Sequence, residues 1–215
     1  MLNNYRAQQL GLVLKNFFPE QNKLAILTRN FGRLDLLVAS QSTSKLAITK
    51  ISYGMLIGFT GATGAELDSA NFTKSTGVHK FKITTVELVY LPTVLPAQLL
   101  FWHQLLELIF YTVPVGLYIP GFFEQIGLVS VNLNLFSHSG QKLLILCKVL
   151  SLLGIYPVDY QNCPLELQVL IRQPIDISTY QKIDLGWESV LQQWWQTSMA
   201  AHPKVKFFKT YGLLL

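Results

Sequence analysis

The hydrophobic pattern of the chain changes its period once, near residue 92. Before that point, short apolar or alternating runs are separated by polar or Ser/Thr-rich stretches. Such runs are typical of β-strands, and five of them within about 80 residues predict a small closed barrel. The runs are LGLVL, KLAILT, RLDLLV, ISYGMLIGF and VHKFKITTVELVY.

After residue 92 the apolar positions follow helical spacing. The stretch AQLLFWHQLLELIFYTV has one narrow polar stripe, QKLLILCKVLSLLG has few polar positions, and WESVLQQWWQTSMAAH also repeats as a helix. Gly154, with Pro157 soon after, predicts the end of the second helix. We therefore predict an α+β protein with a β-barrel at residues 1–86 and an all-α helical domain at residues 87–215.

Two long uncharged runs, residues 108–123 and 125–141, raise the question of a membrane. A membrane span needs roughly 20 mainly apolar residues, and prolines interrupt the first run while polar residues interrupt the second. We predict buried helices and no membrane partner, and a membrane-associated protein stays as an alternative. The first residues lack a secretory pattern, so we expect a cytoplasmic protein.

The net charge of +5 is unevenly distributed along the chain. Residues 1–90 contain ten Lys and Arg against five Asp and Glu, whereas residues 91–215 contain seven of each. The basic excess favours an anionic partner for the first region. Judged by charge alone, the basic excess is equally compatible with a role in solubility only.

The sequence contains no pattern typical of catalysis or of metal binding. GFTGATG lacks the Lys-Ser or Lys-Thr of a phosphate-binding loop, so we predict a tight turn between strands. The four histidines match no ligand spacing, and no GxSxG occurs. Cys147 and Cys163 form no CxxC pair. We therefore expect a non-enzyme without cofactor or zinc.

Cations interleaved with aromatic residues are the stronger signal in the first region. Single-stranded nucleic acid is bound by cations along its backbone and by aromatic rings under its bases, although each ring taken alone is more often part of a core. In RNFG, Asn30 and Gly32 predict a hairpin turn that places two arginines at one barrel edge. The candidate DNA-binding residues are Lys15, Arg29, Arg33, Lys45, Lys50, Lys80 and Lys82, with Lys204 and Lys206 as a second patch.

Three segments, in order, resemble the RecO family of bacterial recombination mediators. GLVLKNFFPEQNKLAILTRNFGRLDLLV resembles the family's N-terminal signature. LCKVLSLLGIYPVDYQNCP is similar to its helix ending in Leu-Gly, followed by an aromatic residue, Pro and a loop to Cys. The last helix with HPKVKFFKTYGLL resembles the family's basic tail. The likeness extends over nearly the whole chain.

The resemblance implies an N-terminal OB-fold and a helical domain. It also implies binding of single- and double-stranded DNA, annealing of complementary strands, and help in loading recombinase in DNA repair, with no enzymatic activity. The implied partners are RecR and the acidic tail of single-stranded DNA-binding protein, for which Lys142 is the nearest cation.

The chain departs from the family pattern at three sites, one of which is the helix implied to bind the acidic tail, where Lys142 stands in place of the family's arginines. VASQSTSKLAITK replaces the family's basic run after the third strand, and Cys163 stands alone where many members have a zinc loop. A protein–protein adaptor is therefore an alternative. In that case the apolar helical domain would bind a partner peptide and the barrel would have little DNA affinity.

Overall fold

The computed structural model describes residues 8–17, 20–21, 23–38, 50–62, 82–156, 161, 163–180 and 185–210. The chain divides into two units, one of 1–92 with 113–123 and one of 93–112 with 124–215. The first unit thus extends past the predicted boundary at residue 86 and includes a second, separate segment. Lys45 and Lys80 lie outside the described residues, and only the backbone of Lys82 is described.

The first unit contains a five-stranded, mostly antiparallel sheet. Antiparallel pairs join β1 to β2, β2 to β3, β1 to β4 and β4 to β5, and β3 pairs with β5 in parallel over two residues. The pairing order is therefore β1-β2-β3-β5-β4, with β4 also paired to β1. The strands are β1 (Gln9–Asn16), β2 (Lys23–Thr28), β3 (Gly32–Val38), β4 (Leu56–Ala62) and β5 (Lys82–Tyr90).

One face of these strands forms the core of the first unit. Strand residues alternate between faces, so every second apolar residue of β1, β2, β3 and β4 packs inward. In β2 the opposite face is buried as well, because Ala25, Leu27 and Thr28 are also covered. Buried members of this core are Val13, Leu24, Ile26, Leu34, Leu36, Ile51, Ile57, Phe59 and Ile83.

Two sequence predictions for the first unit are wrong. Gly58 and Gly61 lie within β4, not in a tight turn between strands. The run 108–123, predicted as buried helix, leaves the helical conformation after Thr112. Pro114 explains the second error, because proline lacks the N–H of a helix interior and disfavours the helical conformation of the residue before it.

The second unit is helical. Within the described part of the chain its helices are α1 (Pro96–Thr112), α2 (Phe122–Val131), α3 (Ser139–Leu152), α4 (Leu165–Arg172), α5 (Ile177–Tyr180) and α6 (Glu188–Ala200). Short 3-10 turns occupy Leu133–Leu135, Leu185–Trp187 and Val205–Phe207. The protein is therefore α+β, as predicted.

Helix α3 is the centre of the second unit. Residues 143–150 are all buried, and α3 packs against α1, α4 and α6. At its end, Ile155 N donates to Leu150 O (2.9 Å), Gly154 N donates to Ser151 O (3.0 Å), and Gly154 has φ +74°. This is a Schellman C-terminus, and it confirms the predicted stop. Among the described residues, none of the helices combines the length and hydropathy needed to span a membrane.

Candidate nucleic-acid interface

The RNFG step is a hairpin turn, as predicted. Thr28 pairs with Gly32 across a three-residue loop of Arg29, Asn30 and Phe31. Phe31 N donates to Thr28 Oγ1 (3.1 Å), and that hydroxyl donates to Gly32 O (2.8 Å). Gly32 has φ +65°, the left-handed conformation that closes three-residue hairpin loops.

Gly32 is also required because another part of the backbone passes close to it. A Cβ atom at Gly32 would lie 1.7 Å from Leu117 O. Leu117 belongs to the segment 113–123, which is part of the first unit. The hairpin therefore lies directly against this segment, a contact that strand periodicity cannot predict.

Arg33 is bound by the protein itself. It is 8% exposed, and its Nε and Nη2 donate to Asp35 Oδ1 at 3.3 and 3.2 Å while Nη1 donates to Val113 O at 3.3 Å. Its backbone carbonyl accepts from Gly116 N (2.8 Å), and it forms a parallel bridge with Val115. This geometry does not fit the predicted phosphate contact, because the guanidinium donors are already directed into the protein.

Arg29 has a different environment from Arg33. Its side chain is exposed, and its guanidinium carbon lies 5.9 Å from the centre of the Phe123 ring. A cation over an aromatic face at an exposed site contributes only about 0.5–1 kcal/mol. The hairpin therefore presents one accessible guanidinium, and the two arginines of the predicted pair differ in exposure.

A second group of cations lies at the opposite end of β2. Lys15 Nζ is 5.0 Å and Lys23 Nζ is 4.9 Å from the centre of the Phe17 ring. Phe17 N donates to Lys23 O (3.1 Å), so the turn between β1 and β2 brings both lysines to one aromatic ring. The ring is half-buried and the Lys23 side chain is 27% exposed.

The loop before β4 adds a cation and a ring at this same end. Asn16 Nδ2 donates to Ile51 O (2.8 Å), which holds the loop beside the last residues of β1. Lys50 and Tyr53 are exposed on this loop, with 46% of Tyr53 accessible. We refer to the whole group as the basic end: Lys15, Phe17, Lys23, Lys50 and Tyr53.

Register places the backbone of one more predicted site residue at this end. Lys82 is the first residue of β5 and pairs with Leu37, which pairs in turn with Lys23. Asp35 reduces the positive charge, because its Oδ2 lies 2.7 Å from Lys23 Nζ and its Oδ1 accepts from Arg33. Sequence reasoning overlooked Asp35, although its position two residues after Arg33 puts both side chains on one strand face.

The cations predicted in the second unit take part in local structure. Lys204 Nζ donates to Tyr111 O (3.2 Å) in the last turn of α1, where a cation interacts favourably with the helix dipole. Lys206 Nζ lies 5.2 Å from the centre of the Phe207 ring. Lys142 Nζ donates to Ala97 O (3.3 Å), and burial lowers the pKa of its ammonium group.

Comparison with known proteins adds no assignment. The chain matches no family model and has no significant match among curated proteins. Among the described residues, no group of three or more His, Cys, Asp or Glu side chains is arranged to bind a metal ion.

Proposed function

We propose that the protein is a RecO-like DNA-binding protein of recombinational repair, and that its first unit is an OB-fold barrel binding DNA at the basic end. One observation carries this proposal: Lys15 and Lys23 converge on Phe17, with Lys50 and Tyr53 beside them. The pairing order of the strands supports the OB-fold, a five-stranded Greek-key barrel that binds oligonucleotides.

The mechanism is electrostatic, assisted by stacking. The lysines neutralise phosphates of the bound strand. Tyr53 and the exposed part of the Phe17 ring stack on unpaired bases, and each stacked base contributes about 1–3 kcal/mol to the binding free energy. Neutralising two strands at once lowers the repulsion that slows annealing. The resemblance adds RecR and the acidic tail of single-stranded DNA-binding protein as proposed partners, the latter near Lys142.

Fluorescence anisotropy of a labelled oligo-dT at several salt concentrations tests the proposal. The Lys15→Gln/Lys50→Gln variant removes two lysines of the basic end. Each phosphate contact contributes about 0.7 to the slope of log K against log salt for single strands, so the variant flattens the slope by about 1.4. The control, Arg172→Gln, removes one exposed charge of the second unit and leaves the slope near that of the unmodified protein.

Two results would contradict the proposal. No binding of oligo-dT at low salt would exclude a DNA-first function. If Arg172→Gln flattened the slope by as much, per charge removed, as the lysine variant, binding would follow net charge and not the basic end.

A protein–protein adaptor is the second candidate, favoured by exposed apolar residues of the second unit. Leu128, Val131 and Leu135 are exposed within and just after α2, with 65% of Val131 accessible. Residues spaced like these can anchor a partner peptide. A salt-independent protein contact with negligible DNA affinity would support this function over the first.

A further inference from the structure

The C-terminal segment of the described chain is held against α1 by a carboxylate. Glu107 accepts hydrogen bonds from Lys209 N (2.8 Å), from Thr210 N (3.0 Å) and from Thr210 Oγ1 (2.5 Å). Gln104, one turn earlier on the same helix face, donates from Nε2 to Thr210 O (2.9 Å). These bonds fix the backbone of residues 209 and 210, so the side chains before them have defined positions.

The same helix orients two phenylalanines differently. Tyr111, one turn after Glu107, lies 4.9 Å from the Phe208 ring and 6.1 Å from the Phe207 ring between centroids. Phe208 is buried, whereas Phe207 is 51% exposed and only 19° from parallel with Tyr111. Phe208 therefore anchors the segment, and Phe207 presents a flat, supported ring to solvent.

The surroundings of Phe207 are basic. Lys206 Nζ lies 5.2 Å from the ring centre, and the side chains of Lys204 and Lys209 are exposed along the same short segment. The carboxylate of Glu107, which accepts from the amides and hydroxyl of residues 209 and 210, offsets only part of the charge of the three lysines. An accessible ring within a run of lysines combines the two features of a stacking platform for single strands.

We propose that Phe207 stacks on a base of single-stranded nucleic acid while Lys206 and Lys209 contact its phosphates. This inference deepens the proposed function and rests on it, because it gives the second unit its own contact with the same ligand. An acidic peptide would use the lysines without needing a flat ring. A duplex hides its base faces, so the site prefers single strands.

Phe207→Leu tests the inference, because leucine keeps an apolar side chain beside Tyr111 and removes the aromatic face. We expect affinity for oligo-dT to fall at least about fivefold with an unchanged salt slope, since no charge is lost. The loss should vanish on an abasic oligonucleotide of equal length, which has phosphates but no bases. Phe207→Trp should restore binding to oligo-dT.

Tyr156→Leu is the matched control, since it removes another exposed aromatic ring of the second unit. It should leave the affinity for oligo-dT unchanged. Lys206→Gln should lower the salt slope by about 0.7 on both oligonucleotides, which separates the phosphate contact from stacking.

The outcomes separate this inference from the proposed function. If Lys15→Gln/Lys50→Gln weakens binding and Phe207→Leu does not, the basic end stands and the Phe207 site is overturned. If Phe207→Leu weakens binding only when bases are present, the stacking site is supported whatever the lysine variant does. An equal loss on the abasic oligonucleotide would overturn stacking, because it would show a structural effect.

Discussion

The two ends of strand β2 use positive charge in different ways. At the hairpin end, Arg33 is buried against Asp35 and Val113, and Arg29 lies over Phe123. At the basic end, Lys15 and Lys23 share the ring of Phe17. A cation's environment depends on what covers its strand face: the guanidinium of Arg33 is bound within the fold, whereas Lys15 and Lys23 lie at a half-buried ring, and Lys23 is also paired with Asp35.

Gly32→Ala should lower the free energy of unfolding more than any other substitution at the hairpin end. The alanine Cβ would clash with Leu117 O in a backbone conformation that already costs about 1–2 kcal/mol for a residue with a side chain. We expect the free energy of unfolding to fall by about 2–5 kcal/mol, by urea denaturation followed by circular dichroism. Gly154→Ala is the matched control, because Gly154 also has a positive φ but no atom lies within 4 Å of the added Cβ. Its free energy of unfolding should fall by about 1–2 kcal/mol. Equal losses of unfolding free energy in the two variants would show that the segment 113–123 moves away from the added Cβ at little cost.

Arg33→Gln tests whether the buried arginine is structural. Glutamine cannot donate to Asp35 and Val113 O together, so the unfolding free energy should fall by about 2–3 kcal/mol. Arg29→Gln, which removes the exposed cation of the same hairpin, should change it by less than about 0.5 kcal/mol. A stable Arg33→Gln protein that binds DNA weakly would reverse the comparison and return Arg33 to the interface.

Glu107→Gln tests a charge that the second unit uses for its own internal hydrogen bonds. Glutamine retains one carbonyl acceptor for three donors, and the uncharged bonds are weaker, so the segment should open more easily by about 1–2 kcal/mol. Hydrogen exchange at the amides of Lys209 and Thr210 should be faster by about 5- to 30-fold. Glu166 is an exposed acid on α4, so Glu166→Gln should leave the exchange of these amides unchanged. Unaltered exchange in both variants would show that Glu107 does not hold the segment.

Lys148 differs from Arg33 because a buried lysine can lose its proton. Its ammonium donates to the carbonyls of Ile171 and Gln173, and burial lowers its pKa to about 8. Above that pH the unfolded chain binds more protons than the folded protein, so this group makes stability rise with pH until its unfolded pKa of about 10.4.

The rise due to Lys148 between pH 7 and 8.5 should be less than about 1 kcal/mol. Denaturation midpoints measured across pH 7–10 should rise less steeply for Lys148→Met than for the unmodified protein. Parallel pH profiles for the two proteins would contradict a titration at Lys148.

Local patterns in the sequence predict the local structure well. The apolar run KLAILT is β2, the apolar stretch from residue 97 is α1 within one residue at each end, and Gly154 ends α3. Each of these features depends on neighbours in the chain, which periodicity and glycine placement report directly.

The errors arise where distant residues meet. Arg33 precedes Val113 by 80 residues, and nothing in RNFG indicates that its guanidinium is covered. The basic end also depends on register, because Lys15, Lys23 and Lys50 come from three elements. Sequence reasoning therefore found the cations but could not divide them between the two ends of β2.

The discontinuity of the first unit has a consequence for its synthesis. The ribosome completes strand β3 long before it reaches Val113, and at 5–20 residues per second the interval is roughly 4–15 s. Throughout that interval the nascent hairpin lacks the segment that covers Arg33 and lies against Gly32. Residues 113–123, which complete the first unit, are translated only after helix α1. Part of the second unit is therefore made before the first unit is complete.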